Sequence, residues 1–287
     1  MSTTKLILIE GIPGSGKTTT ARFVCDWLEK RGKHPALFLE GDWHHPADYE
    51  SVACLTGSEY TELLAQFPDQ ADFLAHQAWQ EDGEWFFRYH ELQYEHGDHR
   101  PAALFETLAR FEIYNLPADR HRRLLLKSWQ KFAARAATED LVYVFECCFL
   151  QNPTTTLLAW HNLPEAAVRH HVLSLAQAVG PLQPKLIYLA RQDVAATLES
   201  SRAERPQGWA DFVTWYLTEQ DFGQARGLRG FDGVIDFYAM RQALELDILR
   251  TLPVSHVILS DSLDWDVRYE NLTFFLEEKS LENHVNA

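Results

Sequence analysis

Gly11-Ile12-Pro13-Gly14-Ser15-Gly16-Lys17-Thr18 follows directly on the apolar run Leu6-Ile7-Leu8-Ile9. The spacing G-x-x-x-x-G-K-[ST], after a strand-like run and before a helical one, reads as a phosphate-binding loop of the Walker A type. Gly11, Gly14 and Gly16 let the backbone curl so that its N–H groups point at phosphate oxygens, and Lys17 neutralises charge. Thr18 brings a hydroxyl for Mg²⁺, and the helix opening at Lys17 turns the positive end of its dipole on the same anion. The residues expected to hold the nucleotide are therefore Gly11, Pro13, Gly14, Ser15, Gly16, Lys17, Thr18 and Thr19.

Outward from the loop, short apolar runs separated by helical sequence predict strands at Lys5–Ile9, Ala36–Leu39, Leu141–Phe145, Lys185–Leu189 and His256–Leu259. Runs of this kind belong to a parallel sheet covered on both faces. Ala21, Val24, Cys25 and Leu28 form the inward stripe of the first helix, which Gly32 stops. The expected fold is α/β, a three-layer P-loop NTPase fold with a five-stranded parallel sheet.

About a hundred residues separate the second strand from the third, far beyond an ordinary crossover. Helical periodicity and little strand signal predict a helical insertion there, broken by Pro68, Pro101 and Pro117, with an exposed turn at Glu81-Asp82-Gly83-Glu84. The predicted division is a core of 1–45 and 139–287, a lid at about 191–210, and an insertion of 46–138 that shapes the acceptor pocket. Phe237, Met240, Leu244 and Ile248 form a later helical stripe, Leu272, Phe275 and Leu276 mark the last helix, and the tail from Ser280 reads as frayed.

The chain of 287 residues has 46% hydrophobic content, enough for a sizeable core, and a net charge of −15 from 26 basic and 41 acidic residues. Without a basic tract, nucleic acid is not an expected partner. No run approaches the roughly twenty apolar residues of a membrane span, and the expected location is the cytoplasm. The four cysteines lack C-x-x-C spacing and read as small buried hydrophobes; Cys147 and Cys148 are adjacent on a predicted strand, facing opposite ways.

A phosphate loop is shared by chemically different proteins, so the reaction class must come from elsewhere in the chain. No N-K-x-D sequence marks a guanine-reading switch, and no strand ending in an aspartate-acidic pair marks a hydrolytic ATPase. Glu40-Gly41-Asp42 lies at the carboxyl end of the second strand, the edge where open α/β sheets place ligands. A carboxylate there can accept the proton of an attacking hydroxyl; Asp42 is the first choice and Glu40 the second, although either alone reads equally as a helix cap. Glu146 ends the third strand, within reach of Mg²⁺ or an acceptor. Arg202 and Arg205 precede Pro206 in a segment suited to closing over phosphates, and Arg191 is a further candidate. His44 and His45, side by side before Pro46, make a poor metal pair but could touch an acceptor.

Leu8-Ile9-Glu10-Gly11 running into the loop resembles the start of thymidylate kinases and deoxynucleoside kinases. That resemblance covers the core and not the insertion, where no thymidine-reading motif matches. It implies a five-stranded parallel sheet, an acidic residue after the second strand and an arginine-bearing lid after the fourth. The Glu-Arg pair of deoxynucleoside kinases is Glu146-Cys147 here, so no arginine stands at that position to carry its role. The expected activity is ATP- and Mg²⁺-dependent transfer of the γ-phosphoryl group to a hydroxyl of a small molecule: a nucleoside, a sugar-like metabolite or an antibiotic. The alternatives are a nucleotide-dependent regulatory protein and a nucleotide kinase with a phosphate acceptor. A small-molecule acceptor is the expected partner, and homodimerisation is left open.

Overall fold

A computed structural model describes residues 4–261 and 265–277, so the tail from Ser280 lies outside the described residues. The chain divides into two compact units, Met1–Glu40 with Trp129–Ala287, and Gly41–Ser128.

The first unit is built on strands β1 (Leu6–Gly11), β2 (Pro35–Phe38), β6 (Val142–Glu146), β7 (Lys185–Ala190) and β8 (Ser255–Ser260). All pairings are parallel, in the order β2-β6-β1-β7-β8, which puts the strand carrying the phosphate loop at the centre. This is the α/β P-loop sheet expected from the sequence, with all five strands within two residues of their predicted bounds.

Because side chains alternate along a strand, β1 sends Ile7 and Ile9 one way and Leu8 and Glu10 the other. Ile7 and Ile9 join Val142, Val144, Ile187, Leu189 and Leu259 in a core closed by helices α1 (Lys17–Glu29) and α13 (Trp265–Glu277). The opposite set includes Phe145 of β6, whose ring meets Trp129 and Phe132 of helix α6 (Ala118–Ala136). It also includes Tyr188 of β7, hydrogen-bonded to helix α12 (Gly230–Leu249). Helices α7 (Gln151–Thr155), α8 (Glu165–Val179), α9 (Val194–Glu204), α10 (Gln207–Thr218) and α11 (Asp221–Arg226) complete the unit. On α12 the inward stripe differs from expectation: Met240 is only half-buried, and Arg241 and Glu245 occupy fully buried positions beside Phe237, Leu244 and Ile248.

The second unit contains helices α2 (Gly57–Gln66), α3 (Ala71–Gln77), α4 (Tyr89–His96) and α5 (Ala102–Ala109), and α6 begins within it. It also holds what the sequence reading gave no weight: a three-stranded antiparallel sheet of β3 (Ala53–Leu55), β5 (Glu84–Phe87) and β4 (Trp79–Glu81). The expected turn at Glu81–Glu84 is the hairpin joining β4 to β5, with Asp82 at φ 53° and Gly83 at φ 83°. Two consecutive left-handed residues are what a tight two-residue hairpin requires, and Asp-Gly supplies them at low cost. Phe87, Leu104, Phe105 and Leu108 are packed with Leu63 and Leu74 in this unit's own core. Helix α2 begins with a capping box, Thr56 accepting from Glu59 N–H while the Glu59 carboxylate accepts from Thr56 N–H at 2.6 Å.

Among the described residues no helix is long and apolar enough to cross a membrane. All four cysteines are free and buried. Cys147 and Cys148 do not lie on a strand as expected, because β6 ends at Glu146 and Cys147 turns the chain at φ 70°.

Candidate functional site

The phosphate loop leaves β1 at Gly11 (φ 148°), turns at Gly14 (φ 77°) and Gly16 (φ 92°), and enters α1 at Lys17. A Cβ on Gly14 would come within 2.1 Å of Ser201 Oγ, so α9 lies against the loop where only glycine fits. Nothing stands within 4 Å of the corresponding position at Gly16, which leaves that stretch of backbone open on its outer side. Lys17 is buried and donates through Nζ to the Gly11 carbonyl at 3.2 Å and the Ile12 carbonyl at 3.0 Å. Arg191 donates to the Gly14 carbonyl at 3.0 Å and pairs with Asp261 at 3.4 Å, tying the loop to the ends of β7 and β8.

A cavity of about 410 Å³ opens at the loop, lined by Gly14, Gly16, Lys17, Thr18, Thr19, Leu39, Glu40, Glu146 and Arg205. The parallel order explains this company. The carboxyl ends of β1, β2 and β6 lie side by side, and each delivers its following residues to one edge. Thr18 donates to Glu146 at 2.9 Å, and the two carboxylates Glu40 and Glu146, with Cys147 Sγ, have one ligand atom each within 4.8 Å of one another. Burial raises the Glu146 pKa and the Glu40 charge adds to that, while Lys17 and the Thr18 hydroxyl pull it down. The thiol of Cys147 is pushed well up by burial and stays protonated. The hard oxygens of Thr18 and Glu146 fit Mg²⁺, and the protonated thiol adds nothing to such a site.

Glu40 is held by Gln151, whose Nε2 donates to Oε1 at 2.9 Å, and lies 3.5 Å from Cys147 Sγ. Of the two expected lid arginines, Arg205 lines the cavity, its guanidinium 4.6 Å from the Trp209 ring centroid. Arg202 instead lies over Phe231 and pairs with Glu199.

Asp42 belongs to the second unit, where its Oδ1 accepts from the His44 N–H at 2.9 Å, a local turn. His44 pairs with Glu91 at 2.8 Å, and His45 Nδ1 accepts from Ala47 and Asp48 N–H groups. Burial drops the His45 pKa to about 3, so its ring stays neutral. In the same unit Trp79 stacks on Phe86 and Trp85 on Tyr60, a packing role for much of the insertion's aromatic content.

Beneath the loop lies a buried polar group that sequence reasoning missed. Arg241, 1% exposed, donates to the Gly11 carbonyl at 3.1 Å and to Thr155 Oγ1 at 2.9 Å, and pairs with fully buried Glu245 at 3.3 Å. Glu245 also accepts from Tyr188 at 2.6 Å and Thr154 at 2.7 Å. The available signal was an Arg and a Glu four apart on an otherwise apolar helix face.

The motif and the sheet that presents it define a P-loop protein of the α/β class. A family model described as Nephrocystin 3, N-terminal, matches residues 1–108. A Signal recognition particle 54 kDa protein from Methanobrevibacter smithii is 41% identical over 68 residues, and that match covers 24% of this chain and 15% of the archaeal protein's length. A thymidylate kinase from Candida albicans matches over 96% of this chain and 92% of its own at 10% identity, with a TM-score of 0.40, a likeness too loose to bear on activity.

Proposed function

We propose that the protein is an ATP-dependent phosphotransferase that moves the γ-phosphoryl group to a hydroxyl of a small molecule. The observation that carries this reading is the meeting, in one cavity, of a phosphate loop with the carboxylates Glu40 and Glu146 and with Arg205. A loop that only grips nucleotide has no need of a second carboxylate beside its lysine, whereas a hydroxyl acceptor needs a base.

In this reading Lys17 releases the Gly11 and Ile12 carbonyls and binds phosphate oxygens, joined by the loop N–H groups. Thr18 and Glu146 would hold Mg²⁺, which when bound would offset phosphate charge. Glu40 takes the hydroxyl proton as the new O–P bond forms and the bond from the γ-phosphorus to the bridging oxygen breaks. Arg205 stabilises charge on the transferring group. Glu40 displaces Asp42 as first choice because it lines the cavity and Asp42 is engaged in its own turn.

A nucleotide-dependent binding protein is the second reading. It is favoured by the partial match to a protein named for a particle rather than for a transfer reaction, and by the separate core of the second unit. Incubating the protein with γ-labelled ATP, Mg²⁺ and a library of hydroxyl-bearing metabolites separates the two. A labelled product formed by the wild type and not by Lys17→Ala supports transfer. Tight ATP binding with no product across the library supports the binding protein.

A further inference from the structure

Glu10 is fully buried, one residue before the phosphate loop, on the sheet face opposite Ile9. Both its oxygens accept: Oε1 from the Phe149 N–H at 2.8 Å and Oε2 from the Gln151 N–H at 2.9 Å. These two donors belong to the segment that leaves β6 through the left-handed turn at Cys147. Residue 151 then reaches the other way, its side chain donating to Glu40. A buried carboxylate is costly unless its partners are fixed.

We propose that Glu10 is a positioning residue: by clamping the 147–151 turn it sets Gln151, and through Gln151 it aims the Glu40 carboxylate into the phosphate-loop cavity. The clamp itself stands on the contacts alone, and its catalytic meaning rests on the phosphotransferase reading above.

The clamp is complete when Glu10 is ionised, since a proton on either oxygen competes with a backbone N–H for the same lone pairs. Burial, aided by the charge of Glu245, raises its pKa to about 7, with the backbone donors opposing. Tyr188 and Arg241, which engage Glu245, and the Cys147 thiol are titratable or charged groups beside it, and Cys147 is in turn influenced by Lys17, Glu40 and Glu146. Tyr188 and Cys147 stay protonated and Arg241 stays charged across neutrality.

The test follows the side-chain amide of Gln151 by NMR against pH in ligand-free protein. A shift with its midpoint near neutrality is expected in the wild type and should vanish in Glu10→Gln. The same shift persisting in Glu10→Gln would overturn the clamp. Should that variant not fold, glutamate-carboxyl labelling of the wild type decides: Glu10 and Gln151 signals must share one midpoint, and separate midpoints overturn the proposal. With Mg·ATP and an acceptor, Gln151→Ala, which keeps its backbone N–H, is expected to lower kcat by roughly tenfold or more with ATP affinity held. Unchanged kcat would remove the aiming of Glu40. An absence of nucleotide binding in the wild type would sink the phosphotransferase reading, and the NMR coupling would still decide the clamp.

Discussion

At Gly14 the chain is caught between two requirements, a left-handed turn and the close approach of α9. Gly14→Ala meets both at once: strain at φ 77° and a Cβ within 2.1 Å of Ser201 Oγ. Loss of nucleotide binding is expected, together with a destabilisation of about 1–3 kcal/mol read from urea unfolding. Adding Ser201→Gly should recover only part of it, since the clash goes and the strain stays. Full recovery in the double variant would show that backbone conformation at Gly14 does not matter. Nearby, Glu40 and Asp42 are separated by one glycine yet face different work. The first is held by Gln151 at the cavity and the second closes its own turn with His44.

At the scale of the element, α12 carries an ion pair where its amphipathic pattern calls for aliphatic residues. Arg241→Met leaves Glu245 charged and buried with only hydroxyl partners, and a loss of about 3–5 kcal/mol is expected. Replacing both, Arg241→Met with Glu245→Met, should cost less than that single change, because the orphaned charge goes too; a larger loss in the double variant would contradict this account. In the second unit Thr56→Ala removes one half of the α2 capping box, and about 1 kcal/mol is expected from thermal unfolding.

These elements also show where the sequence was legible. The five core strands are apolar throughout because both faces are covered, so their signal needs no context. The loop is equally plain, since few residue types can make it. The small sheet of the insertion was harder. Its strands are three or four residues long, and the Asp82-Gly83 hairpin signal sat among acidic neighbours that read simply as an exposed turn. On α12 the pattern named Met240 for the interior, because an arginine is assigned to water unless its partners are known. Gln151 and the clamp of Glu10 depend on a turn at Cys147 that no local propensity announces.

For the whole molecule, buried groups of both kinds shape the response to pH: buried His45, its pKa held at about 3, adds stability that is lost as pH falls below its ordinary value, and buried Glu10 acts the other way. Glu10 titrates at about 7 in the folded chain against an ordinary 4.5, so between those values the folded state binds more protons than the unfolded one. Stability from this group is therefore greatest at low pH and falls as pH rises through that window. Glu146, also raised, acts in the same sense, while Glu59, Glu84 and Asp261 are lowered and act in the opposite one at more acid pH. Comparing wild type with Glu10→Gln isolates the Glu10 effect. The wild type should lose stability relative to the variant between about pH 4.5 and about pH 7 in urea unfolding, and a pH-independent difference would show that Glu10 keeps its ordinary pKa.

The most direct measurement is the split between binding and transfer in Glu40→Gln, with Asp42→Asn alongside. Equilibrium titration with Mg·ATP and the rate of γ-phosphoryl transfer to the acceptor are read on both variants. Glu40→Gln is expected to bind Mg·ATP within a few-fold of the wild type and to lose transfer by about a hundredfold or more, with Asp42→Asn much less affected. Transfer at the wild-type rate in Glu40→Gln would contradict the assignment of Glu40 as the base.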